Sequence, residues 1–302
     1  MNAQEIKGVI FFLTTVIGIF GNAIILVFMI YIALQEKKMM HSEVILSSLA
    51  CSNLIHLLTV GLPHSLYPFG IIYFYTDLDC KSDVYLMRVS RVMIIGLTCL
   101  LSCFQCVTLA SLNPQWATLK LKMQKYLILL ILIVCLISLA SSINSALYPV
   151  TGRNATNLKY TFNLGYCLSI YPDKLVFELT GFISFARDVA FVVLMALASA
   201  HILLILHRHG KQMKGKRSSD RSQEAGVEQQ ASKMVVAFVV TYVSLFGIEN
   251  TIWFYQISVS KQGDPSYNDS RYFLSFCFSS LFPIILAAYN QKLRHRIICY
   301  KC

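Results

Sequence analysis

The sequence predicts an all-α membrane protein: a bundle of seven transmembrane helices, N-terminus outside and C-terminus in the cytoplasm. Three observations carry that expectation. Seven apolar runs fill most of the 302 residues, each meeting the length of about 20 helical residues that a bilayer core requires. Basic residues gather in alternate gaps between the runs. Charge is scarce overall, with 56% of residues hydrophobic and 14% charged, where a soluble domain carries about 25% charged. A single domain of residues 1–302 built this way can receive, transport or conduct.

The predicted spans are 8–33, 43–67, 81–110, 126–148, 178–206, 233–257 and 271–290. The first follows a short polar N-terminus, is longer than a signal-peptide core and lacks the small-residue cleavage pattern, so it is expected to act as its own insertion signal. The longest polar stretches, about 149–177 and 207–232, are too short to be appended domains. The latter is rich in Ser, Gln and Glu and reads as a mobile connector. After the seventh span, Leu293, Ile297 and Ile298 alternate with Lys292, Arg294 and Arg296. This pattern suits a short helix lying at the inner membrane surface, where Cys299 and Cys302 are either palmitoylated or bare.

Orientation follows from the positive residues. Of the 26 Lys and Arg, 16 fall in one alternating set of loops, among them Lys37, Lys120, Lys211, Lys214, Lys233 and Lys292. The opposite set, with the N-terminus, holds 7, including Arg153 and Arg271. Positive residues stay cytoplasmic during insertion. The net charge of +11 therefore describes a surface facing membrane lipids, and nucleic acid is not an expected partner.

Topology also sorts the ten cysteines. Six lie within spans and two in the cytoplasmic tail; only Cys80 and Cys167 are extracellular. Disulfides persist in that compartment, so these two are expected to pair and pin the loop between spans four and five over the bundle. The same loop carries the glycosylation sequon Asn154-Ala155-Thr156. A second sequon, Asn268-Asp269-Ser270, sits too near the seventh span to favour modification.

Enzymatic chemistry has little to stand on. The sequence has no His-Glu-x-x-His helix, no Gly-rich phosphate loop and no Cys-x-x-Cys pair outside the membrane. Cys99, Cys103 and Cys106 recur at helical spacing, but no histidine or carboxylate accompanies them on that span, so a packing face is expected rather than a metal site. No catalytic residue, metal or cofactor is predicted.

Ionisable residues inside the bilayer are costly unless paired or wetted. Arg88 and Arg91 lie in the third span, Arg187 and Asp188 in the fifth, and Glu249 in the sixth. At 1.5 Å of rise per residue, all five fall roughly 10–15 Å below the outer surface. Two readings compete: a packing network in which the carboxylates neutralise the arginines, and a ligand pocket. Three cations facing two anions favour a pocket that takes an anionic group on at least one helix 3 arginine.

Several motifs carry a resemblance. Cys99-Leu-Leu-Ser-Cys-Phe-Gln-Cys106, Pro114-Gln-Trp-Ala-Thr-Leu-Lys120, Arg187-Asp-Val-Ala-Phe-Val-Val-Leu-Met195 and His207-Arg-His-Gly-Lys-Gln-Met213 resemble the vomeronasal type-1 receptors and the related fish olfactory receptors. Cys80, Cys167 and Asn154 match that family's outer cysteine pair and loop sequon, and the resemblance covers essentially the whole chain. It implies a G-protein-coupled chemoreceptor of sensory neurons, responding to a small pheromone or odorant. A heterotrimeric G protein would then meet the cytoplasmic face at Gln105, Lys120, Lys211, Lys214 and Lys233.

Departures from the broader rhodopsin-like pattern are informative. Asn53 stands where that pattern has a sodium-linked aspartate, and Phe104-Gln105-Cys106 replaces Asp-Arg-Tyr. Pro283 remains in the seventh span, flanked by Phe282 and Leu286 in place of Asn and Tyr. A charged lock through Gln105 is excluded. A bitter taste receptor is the alternative reading, and a transporter or channel the remote one, disfavoured by the lack of an internal repeat.

Overall fold

The computed structural model describes residues 3–36, 39–71, 76–111, 114–151, 160–213, 221–258 and 265–289. The first span is α1 (Ala3–Glu36) and the second begins as α2 (His41–His56). A π-helical stretch, Leu57–Gly61, joins α2 to the short α3 (Leu62–Leu66). The third span is α4 (Asp77–Ala110), and the fourth pairs α5 (Pro114–Lys125) with α6 (Leu127–Ser141). The last three spans are α7 (Lys174–Met213), α8 (Arg221–Ser258) and α9 (Pro265–Tyr289).

Six of these helices are individually long and apolar enough to cross a membrane, and the α5–α6 pair, bent by 67°, supplies the seventh. The bend has a compositional cause. α5 carries Lys120, Lys122 and Lys125, whereas α6 is Leu/Ile-rich throughout. The helical spans outrun the predicted ones at several ends, notably at α7 and α8, which extend past the membrane-length run. Large apolar side chains are exposed in quantity, including Leu34, Val27, Phe20, Ile128 and Leu136 at 65–75% of their surface. Such a girdle is stable only against lipid.

Two irregularities follow from proline. Pro63 has no N–H to offer the Thr59 carbonyl and its ring crowds that oxygen; the helix widens to a π-turn over Leu57–Gly61, and the Leu62 N–H bonds to Leu57 instead. Pro283 inside α9 likewise offers no N–H to Ser279. There Asn22 of α1 supplies the missing donor: its Nδ2 bonds the Ser279 carbonyl at 2.9 Å and the Gly18 carbonyl at 2.8 Å. Gly21 makes this approach possible, since a Cβ there would meet the Pro283 ring at 2.7 Å. Asn53 of α2 completes the layer, donating to Asn22 Oδ1 at 3.4 Å. It contributes no charge.

The described part of the loop between α6 and α7 contains a small sheet. β1 (Pro149–Val150), β2 (Thr161–Asn163) and β3 (Leu168–Ile170) form an antiparallel sheet in the order β1-β3-β2, with Val150 opposite Leu168 and Phe162 opposite Ser169. Gly165, at φ 88°, makes the turn between β2 and β3, its N–H held by Asn163 Oδ1 at 2.7 Å. Cys80 and Cys167 form the expected disulfide, with Cα atoms 5.8 Å apart. The sheet is tied to the head of α4 a second time, because Asp77 Oδ1 accepts from the Thr151 N–H at 2.7 Å and from its hydroxyl. Thr76 caps α4 in a reciprocal arrangement with Asp79, which satisfies donors the first helical turn leaves open.

The largest core cluster joins α1, α2, α4, α7, α8 and α9 around Leu49, Leu97, Met195, Phe238 and Phe282. Phe238 stacks on Phe282 at 5.0 Å and Tyr242 meets Phe278 edge-on at 5.2 Å, packing α8 closely on α9. A second cluster beneath the sheet gathers Phe11, Leu164, Tyr166 and Phe276. Between these two clusters lies the polar layer.

Candidate ligand-binding site

Arg91 is the centre of that layer. It faces inward from α4, with 18% of its side chain exposed. Its two terminal nitrogens grip Glu249 of α8 in a fork, at 2.6 and 2.9 Å, the planar geometry that arginine offers to a carboxylate. The nitrogen nearer Glu249 Oε1 also donates to Ser275 Oγ of α9 at 3.0 Å. Arg91 Nε lies 3.7 Å from Asp188 of α7.

The network extends in both directions. Asp188 accepts from Arg187 at 2.8 and 2.9 Å, and Arg187 reaches on to Ser141 Oγ of α6 at 2.9 Å. On the other side, His56 of α2 lies between Ser275 Oγ at 3.3 Å and Ser90 Oγ of α4 at 3.0 Å. One chain of polar contacts thus crosses α6, α7, α4, α8, α9 and α2 in turn. Burying so many polar groups is tolerable because they are paired with one another.

The structure brings the five residues predicted for this layer together, but in two tiers. Arg88, Arg91 and Glu249 line two adjoining cavities, one bounded by His56, Arg91, Tyr242, Phe246, Glu249 and Ser275, the other by His56, Arg88, Arg91, Glu249, Arg271 and Tyr272. Arg187 and Asp188 stand behind Arg91 and line neither. The expected ligand-sized pocket is not open: the cavities measure about 20 and 30 Å³. That is room for one or two waters each, while small-molecule sites run to hundreds of Å³. The Arg91–Glu249 pair lines both cavities.

Sequence reasoning missed three members of the site. Arg271, assigned from sequence to the outer loops, lines the second cavity from α9. His56 is a buried ionisable residue mid-span, and scanning the spans for histidine as well as for full charges would have found it. Ser275 carries no signal of its own; only the fold sets it between Arg91 and His56.

A larger space, about 500 Å³, opens between the N-terminal ends of α1 and α9. Ile6, Ile10, Phe11, Phe273 and Leu274 line it, with the Lys7–Asp269 ion pair at its polar rim. Behind Phe11, His64 packs against Tyr166 and Tyr272.

At the far end of α4, Gln105 is only 7% exposed. Lys120 is half-buried and Lys233 exposed. The Lys211 side chain, Lys214 and the sequon at Asn154 lie outside the described residues. Cys99 packs in the main core, and Cys106 joins Ala198 and Ile202 in a smaller one.

A lipid-girdled seven-helix bundle with a polar layer at its centre and a disulfide-pinned outer loop is the framework of a membrane receptor. The chain belongs to the vomeronasal organ pheromone receptor family, matching it over residues 5–298. It is 36% identical over 295 residues to olfactory receptor class A-like protein 1 of Danio rerio, covering 97% of this chain and 92% of that protein. Vomeronasal type-1 receptor 4 of Homo sapiens is 30% identical over 291 residues, 95% of each chain. Vomeronasal type-1 receptor 90 of Rattus norvegicus is 28% identical over 292 residues, covering 95% of this chain and 92% of the rat protein. The protein is a chemosensory receptor, not an enzyme. Family membership decides against the taste-receptor and transporter alternatives.

Proposed function

We propose that this receptor sits in the plasma membrane of chemosensory neurons with its N-terminus and the Asn154 sequon outside. There it binds a small, largely apolar molecule with one anionic end and activates a heterotrimeric G protein. The observation carrying the ligand class is the composition of the central layer. Among the described residues, the guanidinium groups of Arg88, Arg91 and Arg271 line one cavity with Glu249, and Arg187 and Asp188 adjoin it through Arg91. A carboxylate, sulfate or phenolate brings the charge that such a layer favours, and the aromatic walls at Tyr242, Phe246 and Tyr272 suit an apolar body. On the cytoplasmic side, Lys120, Lys211, Lys214 and Lys233 present positive charge that steers an acidic partner, with Gln105 uncovered as the helices separate.

Expression in cultured cells with a reporter of G-protein activation tests this reading. A panel of carboxylic acids and their methyl esters should give responses to acids that Arg88→Ala or Arg91→Ala abolishes, while Arg88→Ala, which leaves the Arg91–Glu249 pair intact, keeps its ester responses per surface receptor. Two surface-expressed variants that respond normally to the acids would overturn the anionic assignment. Reversing charge at Lys120 and Lys233 together should depress signalling at unchanged ligand potency; intact signalling would remove them from the G-protein face.

A further inference from the structure

The geometry points to Glu249 as an internal stand-in for the ligand: it occupies the Arg91 fork in the resting receptor, and an arriving anion takes its place and releases α8. This inference rests on the anionic reading above and adds the event that ligand binding triggers.

Three observations carry it. First, the fork is already full. Both Arg91 terminal nitrogens are engaged by Glu249, and the flanking cavities, about 20 and 30 Å³, admit water but nothing larger. A ligand carboxylate reaches the bidentate position only as the Glu249 carboxylate leaves it.

Second, Arg91 has other anchors and Glu249 is the exchangeable one. Ser275 holds one Arg91 nitrogen at 3.0 Å and Asp188 lies 3.7 Å from another. Asp188 is itself fixed by Arg187, so the α7 carboxylate is already committed. The guanidinium stays in place when Glu249 goes, and two like-charged carboxylates cannot share one fork without repulsion.

Third, α8 has a weak point beside the exchanged group. Gly247 lies two residues before Glu249, and a Cβ there would find nothing within 4 Å. Glycine within a helix costs about 1 kcal/mol relative to alanine, and here no close packing requires it. Below it, Tyr242 and Phe238 hold α8 to α9 through stacked rings. The pair at Glu249 is thus the charged tie between α4 and the segment of α8 that follows Gly247.

Two measurements test the exchange and its consequence separately. Purified Glu249→Ala receptor in lipid nanodiscs is heated with sodium acetate or with acetamide, its neutral near-isostere. Acetate should raise the melting point by about 2–4 °C, acetamide should not, and neither should act on wild type or on Arg91→Ala/Glu249→Ala. Acetate without effect on Glu249→Ala sinks the exchange and, with it, the anionic reading of the fork. In cells, Glu249→Gln, which keeps the shape and loses the charge, should raise ligand-free signalling about ten-fold per surface receptor, a modest shift between two states. Should that variant not reach the surface, Glu249→Asp, charged but shorter, should raise it to a smaller extent. Acetate binding combined with unchanged basal signalling would leave the anion site standing and overturn the release of α8. Adding Gly247→Ala to Glu249→Gln should lower its basal signal again; an undiminished signal would remove the glycine from the proposal.

Discussion

Cys106 Sγ lies 3.2 Å from His201 Nδ1, joining α4 to α7 one residue beyond Gln105. The indole of Trp116 stacks on the same imidazole, with centroids 5.7 Å apart and planes 24° from parallel. Three helices therefore meet through three side chains near the C-terminal end of α4. No charged lock is possible at Gln105, and this contact holds α4 and α7 together there instead.

Loosening that contact should favour the open cytoplasmic face. We expect Cys106→Ala and His201→Phe to raise ligand-free signalling modestly, and the double variant to add little, because each removes the same contact. Fully additive effects in a reporter assay would show that the two side chains act separately.

The Cys80–Cys167 bridge should be needed for a stable outer face. Changing either cysteine to serine should lower stability by about 2–4 kcal/mol and reduce surface abundance, measured by labelling of intact cells. The second tether, Asp77 to Thr151, should matter less: Asp77→Asn keeps an acceptor oxygen and should leave abundance near wild type.

Breaking the central ion pair from one side should harm folding more than removing it whole. Arg91→Ala strands the Glu249 carboxylate in a buried setting, at a cost of about 3–5 kcal/mol. Arg91→Met with Glu249→Leu removes both charges and should recover most of the lost thermal stability. A double variant no more stable than Arg91→Ala would mean the pair is not the source of the loss.

Asn22 should be sensitive to truncation although it lies outside the Arg91–Glu249 layer. Asn22→Ala withdraws the donor serving the Ser279 carbonyl, a loss of about 1–3 kcal/mol for a buried group left unbonded. Thermal unfolding of the purified receptor measures it directly, and ligand potency in the surviving fraction should stay unchanged.

Much of this was legible in the chain itself. Length, hydropathy and charge asymmetry specify the seven-helix plan because a bilayer imposes one dominant constraint on backbone polar groups. The disulfide was legible for a similar reason, since topology left only Cys80 and Cys167 outside. The ionic layer was legible in depth but not in pairing: 1.5 Å per residue puts Arg91, Asp188 and Glu249 at one level, yet only helix rotation decides that Arg91 takes Glu249 while Asp188 takes Arg187. Arg271 was misjudged because it stands at a span boundary, where one turn separates loop from cavity. The loop sheet was hidden because two- and three-residue strands carry no periodicity to read.

The Asn22–Ser279 bond gives α1 a role unlike that of the other helices. A proline break ordinarily lets a helix flex, but in α9 the break is splinted from outside by the Asn22 side chain of α1, whose neighbour Gly21 lies against the Pro283 ring. That side of the bundle consequently behaves as a rigid post. On the proposed release of α8, α1 and α9 then form the braced part against which the displaced segment of α8 works.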